Sequence, residues 1–218
     1  MKKILISLCF ILLSANGVFA FEDIQIVEPV NKSETTETKT VEVPDVKFDW
    51  LDLTKEQRIN VLNDFGTLIF NDDSKIHLTK SEFNSKLSKY KKDKNFKHHY
   101  MLTNNGVTED EDAKYNPFYY KKDTLVIYAI QYKNDIHNSL YYTPYGKLYY
   151  VDITSDNYPN YPYYSMQYNR KGVLKSAIYF VSPDIQYMFN GEQEFVGVWY
   201  KDKLYDIDGK QVSTRENW

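Results

Sequence analysis

Cysteine is almost absent from this sequence: the single copy, Cys9, lies within the first twenty residues. That opening stretch has the grammar of a secretory signal. Lys2 and Lys3 form a short positive region, Ile4 to Leu13 an apolar one, and Val18-Phe19-Ala20 ends it with small residues at both cleavage-determining positions. Cleavage is expected after Ala20. Leu8, not a small residue, precedes Cys9, so lipid attachment there is not expected. A processed chain without cysteine cannot be a disulfide-stapled miniature and must rely on an apolar core, for which close to 200 residues are ample. No later apolar run has the ~20 residues that a membrane-spanning helix needs, so no stable anchor is expected after cleavage. An excess of positive charge is missing as well: removing Lys2 and Lys3 leaves 25 basic against 30 acidic residues, a net charge of −5. That balance argues against general binding of nucleic acid or anionic membranes. The expected location is the periplasm or the exterior of a bacterial cell.

The usual signatures of chemistry are missing too. There is no Gly-x-Ser-x-Gly elbow, no Ser-x-x-Lys pair and no glycine-rich phosphate loop. The four histidines, His77, His98, His99 and His137, lack the spacing of a metal set, and the adjacent His98 and His99 read as solvated side chains. Glu109-Asp110-Glu111-Asp112 lacks the glycine and distal glutamate of a calcium loop and reads as an exposed turn. No cofactor, metal or catalytic residue is assigned. Two carboxylates brought together by folding would still suffice for a glycosidase, so the question of catalysis stays open.

Three regions follow the signal. Residues 21–48, rich in Glu, Thr, Lys, Val and Pro, read as a flexible acidic tether. Ile24-Gln25-Ile26-Val27 is the piece of it with strand propensity. A single α+β domain then spans 49–212, and 213–218 form a tail. Thr54-Lys55-Glu56-Gln57 and Thr79-Lys80-Ser81-Glu82 are capping boxes. The first opens an amphipathic helix over 55–70 with the stripe Ile59, Leu62, Phe65 and Ile69. The second opens a helix with the stripe Phe83, Leu87 and Tyr90. Lys86, Lys89, Lys91, Lys92, Lys94 and Lys97 cluster here; they read as a solvated helix face and loop, the other reading being contact with an anionic polymer.

Of the 21 tyrosines, 19 lie between Tyr115 and Tyr205, in short aromatic and β-branched runs that predict strands. Candidate strands cover 124–132, 140–142, 148–153, 163–168, 173–181, 185–189, 195–200 and 203–205. Leu125 to Tyr132 is apolar on both faces, which predicts a central strand covered by the helices. From about residue 139 a pattern of tyrosine, three residues and glycine recurs at Tyr142/Gly146, Tyr168/Gly172, Tyr187/Gly191 and Tyr205/Gly209. Each predicts a hairpin whose glycine takes a positive φ. The expected fold is two N-terminal helices packed on an antiparallel, hairpin-rich meander.

Tyr205-Asp206-Ile207-Asp208-Gly209 and Tyr168 to Leu174 resemble the tyrosine-aspartate repeats of bacterial Rhs-type and wall-associated proteins, and the series is similar to MORN-type hairpin repeats. The resemblance implies a repetitive β surface that encloses or binds other molecules. Thr154 to Tyr164, dense in tyrosine and proline, offers Tyr158, Tyr161, Tyr163 and Tyr164 as rigid aromatic faces for a sugar or a peptide; the same rings could instead close the end of the sheet. The expected function is non-catalytic binding of a polysaccharide or protein at the cell envelope or outside it. The alternative is a small-ligand-binding or hydrolytic domain on a nuclear-transport-factor-like helix-plus-curved-sheet scaffold, where converging carboxylates or His137 would line a deep pocket.

Overall fold

The computed structural model describes residues 24–25, 43–71, 74–120 and 124–215. Met1 to Ala20 and most of the 21–42 segment lie outside the described residues. The fold is α+β: the helices precede all but the first strand of an antiparallel sheet whose eleven strands lie side by side in strict sequence order. The strands are β1 (Ile24–Gln25), β2 (Ala113–Tyr120), β3 (Thr124–Tyr132), β4 (Asn138–Tyr142), β5 (Leu148–Thr154) and β6 (Tyr163–Asn169), then β7 (Leu174–Phe180), β8 (Ile185–Asn190), β9 (Phe195–Tyr200), β10 (Lys203–Tyr205) and β11 (Gln211–Thr214).

Three α-helices are present where the capping boxes predict two: α1 (Lys55–Phe70), α2 (Lys80–Leu87) and α3 (Phe96–Asn104). Both boxes form, with the Thr54 and Thr79 hydroxyls accepting from the Gln57 and Glu82 amides. At α3 the N-cap residue Asn95 makes no side-chain cap, so the sequence carries no start signal there. The stripe on α1 is also rotated from the one expected. Ile59 is exposed, and Arg58 is buried in its place, with Nε donating to the Trp50 carbonyl at 2.8 Å.

The helical segment crosses the sheet against the order of the strands. Phe48 stacks on Tyr200 of β9 at 4.2 Å, and Phe65 of α1 touches Tyr179 of β7 and Tyr187 of β8 at 4.8 and 4.7 Å. Phe83 of α2 meets Tyr168 of β6 at 5.6 Å, and His99 of α3 meets Tyr115 of β2 at 5.7 Å. Apart from His99, these side chains belong to one large apolar cluster with Ile130, Leu140, Val151 and Met166. Phe48 therefore packs with the domain although it falls inside the span read as tether. At the other end β11 runs to Thr214, and Arg215 lies over the Trp199 ring at 4.5 Å, so structure extends past residue 212. Ile24 and Gln25 pair with Tyr120 and Tyr119 at the sheet edge, as the strand propensity of that piece allowed.

β3 is third in the strand order, not central. Its second face is covered by side chains of the sheet itself: Ala129 packs with Phe118, Tyr141 and Tyr150. A third cluster on the same side joins Ile178, Phe180, Met188, Trp199 and Leu204, with Tyr161 and Tyr163 laid against it. Among the described residues, no helix is long and apolar enough to cross a membrane.

The hairpin turns share one geometry, but one copy sits in a different frame from the sequence pattern. Thr143, Asn169 and Asp206 open turns in which Gly146, Gly172 and Gly209 take φ of 72°, 74° and 76°. Between β8 and β9 the turn is Asn190 to Gln193, and Gln193 takes the positive φ of 67°, so Tyr187/Gly191 is not a copy; Phe189 stands where the other turns have tyrosine. In each turn the first side chain accepts from amides across the loop, as Asn169 Oδ1 does from Lys171 and Val173.

Candidate functional site

Thr154 ends β5 and Tyr163 begins β6, so the intervening tyrosine-proline loop sits at one end of the sheet. Tyr158, Tyr161 and Tyr163 come together there. Tyr163 meets Tyr158 edge-on at 5.1 Å and Tyr161 at 5.3 Å, and stacks on Phe180 at 4.6 Å. All three are half-buried. Burial pushes the Tyr161 and Tyr163 phenols up, so they stay protonated donors. Tyr164 does not join them. It follows Tyr163 on the strand, points to the helix-covered face and approaches the Ser74 hydroxyl at 3.4 Å. The loop thus covers apolar residues of the second face and still leaves part of three rings at the surface.

Tyr158 connects this ledge to a groove. Its ring lies 6.2 Å from that of His137, and its hydroxyl accepts from the Gln131 side-chain amide at 3.4 Å. The groove has a volume of about 400 Å³. One wall comes from the helical segment, with Lys75, Lys86, Lys89 and Tyr90; the other comes from the strand ends, with Asp135, His137, Asn138, Thr154 and Asp156. Lys75 and Asp156 pair across it at 2.7 Å, which holds the Asp156 carboxyl below its ordinary range. The Tyr90 hydroxyl and the Asn138 amide donate to Asp135 at 2.9 and 2.7 Å. Ammonium and phenol donors of the helical wall thus face carboxylate, amide and hydroxyl groups of the strand ends, and the Tyr158 ring lies beside the lining residue His137.

His137, the lysines Lys86 and Lys89, Tyr90 and Thr154 each stand out in the sequence, but nothing there joins them into one site. Lys75, Tyr90, Asp135 and Asn138 belong to separate segments that pairing of β4 with β5 and packing of α2 bring together. A weak signal existed in the short polar stretch Lys133 to Asn138 between two strongly apolar strands.

Two buried polar networks lie elsewhere. His99 is buried beside Asp93, with Nδ1 at 2.8 Å from Oδ2, and Tyr128 donates to the same oxygen at 2.7 Å. The reading of both adjacent histidines as solvated thus fails for His99 and holds for His98, which is exposed. Burial would raise the Asp93 pKa, but the bonds from His99 and Tyr128 overcome it and hold the carboxyl below its usual value. Beneath the tyrosine loop, Asp152 accepts from Tyr141 at 2.7 Å and from Gln167 at 2.9 Å. Desolvation dominates there and pushes its carboxyl up to about 6.

The remaining candidates take ordinary places. Asp110 accepts from the Ala113 amide and the Tyr115 hydroxyl, fixing the entry to β2. Glu109 pairs with Lys133 at 2.8 Å. Among the described residues no group of three metal-ligating side chains converges. A second groove of about 500 Å³ runs between α1 and the last two hairpins, lined by Leu62, Phe70, Phe189 and Phe195. In comparison with known proteins, the chain matches no family model, no curated protein and no solved structure.

Proposed function

We propose that this chain is an exported, non-catalytic binding module of the bacterial envelope or exterior, and that its target is a polysaccharide. The observation that carries this reading is the continuity of the tyrosine ledge with the polar groove through the Tyr158–His137 contact. A sugar ring offers an apolar face that stacks on an aromatic ring and a rim of hydroxyls that exchange hydrogen bonds with carboxylate, amide, imidazole and ammonium groups. The site offers both, in an open groove that a chain of sugars could pass through. Asp156 is tied to Lys75, and Asp135 to Tyr90 and Asn138, so these carboxylates serve as fixed acceptors. A protein target would have to use the same ledge.

In this reading the helical segment is laid across a hairpin series akin to tyrosine-glycine repeats, and the repeats supply the scaffold. The groove exists because α2 ends over β4 and β5. The signal at Met1 to Ala20 delivers the protein to where polysaccharides are found.

A glycan array with the processed chain tests the proposal. Tyr158→Ala is expected to weaken the glycans bound by about tenfold, since an aromatic anchor contributes ~1–3 kcal/mol. Circular dichroism should be unchanged. No binding to any glycan, or retention of full binding by Tyr158→Ala, would overturn the reading.

A further inference from the structure

The groove continues into the lysine-rich segment, and this gives the ligand a charge. Lys86 and Lys89 line the groove, and Lys91, Lys92, Lys94 and Lys97 follow on the same stretch of chain. All six side chains are exposed, and among the described residues none makes an ion pair. The one acid within residues 86–97 is Asp93, which is buried and occupied by His99 and Tyr128. The segment is held in place. The Asp93 amide donates to the Gly146 carbonyl at 2.8 Å, the Leu148 amide to the Lys91 carbonyl at 3.1 Å, and Lys92 bridges to Lys147, a further cation. A chain of negative overall charge thus fixes a row of ammonium groups that, among the described residues, have no acidic partner, Lys91 donating to Asn84 Oδ1 at 2.9 Å and Lys89 lying over the Tyr90 ring at 4.6 Å, beside a groove whose own carboxylates already have partners.

Resting on the polysaccharide reading above, we infer that the ligand is an anionic polysaccharide carrying carboxylate or phosphate groups along its chain. Its sugar rings occupy the groove against Tyr158, and its charges run along the lysine segment. Ammonium groups bind either anion as point charges, so the shared chemistry is polymer-borne negative charge. Single-stranded DNA offers the same charge without the sugar hydroxyl rim, and it is the control for charge alone.

The test is titration of the processed chain with polygalacturonate, a poly(glycerol phosphate) bearing sugar substituents, neutral dextran and single-stranded DNA. The variants are Tyr158→Ala and the triple Lys89→Gln/Lys92→Gln/Lys94→Gln. Binding of one or both anionic glycans is expected to fall about tenfold or more between ~0.1 and ~1 M salt, where the screening length drops from ~10 to ~3 Å. The triple variant should lose about tenfold at low salt, and polygalacturonate against poly(glycerol phosphate) identifies which anion is preferred. Dextran bound as tightly as the anionic glycans, or a triple variant with full affinity, overturns the inference and leaves the polysaccharide reading standing. DNA bound as tightly as the glycans, with no effect of Tyr158→Ala, also overturns it. Failure to bind any glycan removes both.

Discussion

At the scale of single residues, two aspartates, Asp93 buried and Asp152 half-buried, carry opposite signs. Asp93 has a depressed carboxyl pKa, so its stabilising contribution is present above the unfolded value of about 4 and is lost as pH falls through the lower folded value. Asp93→Asn should destabilise the protein by about 2–4 kcal/mol at neutral pH, because His99 and Tyr128 then face a weaker acceptor. Denaturant melts should show that deficit shrinking as pH drops below about 4. Asp152 has a raised pKa of about 6, so the folded state binds its proton more readily than the unfolded chain, and its ionisation lowers stability as pH rises from about 4 through 6. Asp152→Asn should flatten that decline and leave the protein at least as stable at pH 7, with a gain on the order of 1 kcal/mol after allowance for its partial exposure. A large loss at pH 7 would contradict this. Neither role was legible in the sequence: Asp93 sits unmarked among lysines, and Asp152 lies in a strand whose facing residues, Tyr141 and Gln167, come from both neighbours.

Among the elements, the repeated turns do more than reverse the chain. A Cβ at Gly146 would lie 2.5 Å from Phe96 Cβ, one at Gly172 would lie 2.9 Å from the Phe83 ring, and one at Gly209 would lie 2.5 Å from Arg58 Nη2. Each of these three turn glycines is thus also a seat for the helical segment: α3, α2 and α1 in turn. Gly146→Ala meets both a backbone penalty of ~1–2 kcal/mol and a clash with the start of α3. Its expected cost is about 2–4 kcal/mol, read from a denaturant midpoint. Hydrogen exchange should show faster exchange across 96–104, and an unchanged midpoint would refute the seating role. The hairpins were readable because turn chemistry is local, and most strand ends fall within a residue or two of those expected. The third copy misled because Gly191 lies second in its turn, where a side chain would meet the Leu174 carbonyl, while the positive φ falls on Gln193. β2 escaped notice because Pro117 interrupts an otherwise aromatic run, and prolines usually argue against paired strands. α3 escaped for want of a cap.

For the whole molecule, the helical segment and the strand series run past each other in opposite directions, so the ends of the domain meet. Trp50 Nε1 donates to the Asp206 carbonyl at 3.0 Å, and Arg58 reaches the Ile207 carbonyl at 3.3 Å. The same arrangement leaves a groove where the turn of helix Ser88–Tyr90 crosses the β4–β5 end, beside the tyrosine loop. Sequence reasoning found the loop because its composition is unusual, but not the groove, whose walls come from segments as much as 81 residues apart, as Lys75 and Asp156 are. The most direct measurement is an NMR titration of isotopically labelled residues 21–218 with the glycan that binds best. Amide shifts are predicted to change at 75–90, 135–138 and 154–164 and to stay constant along α1 and the last two hairpins. Changes confined to the second groove, around Leu62, Phe70 and Phe189, would contradict the account.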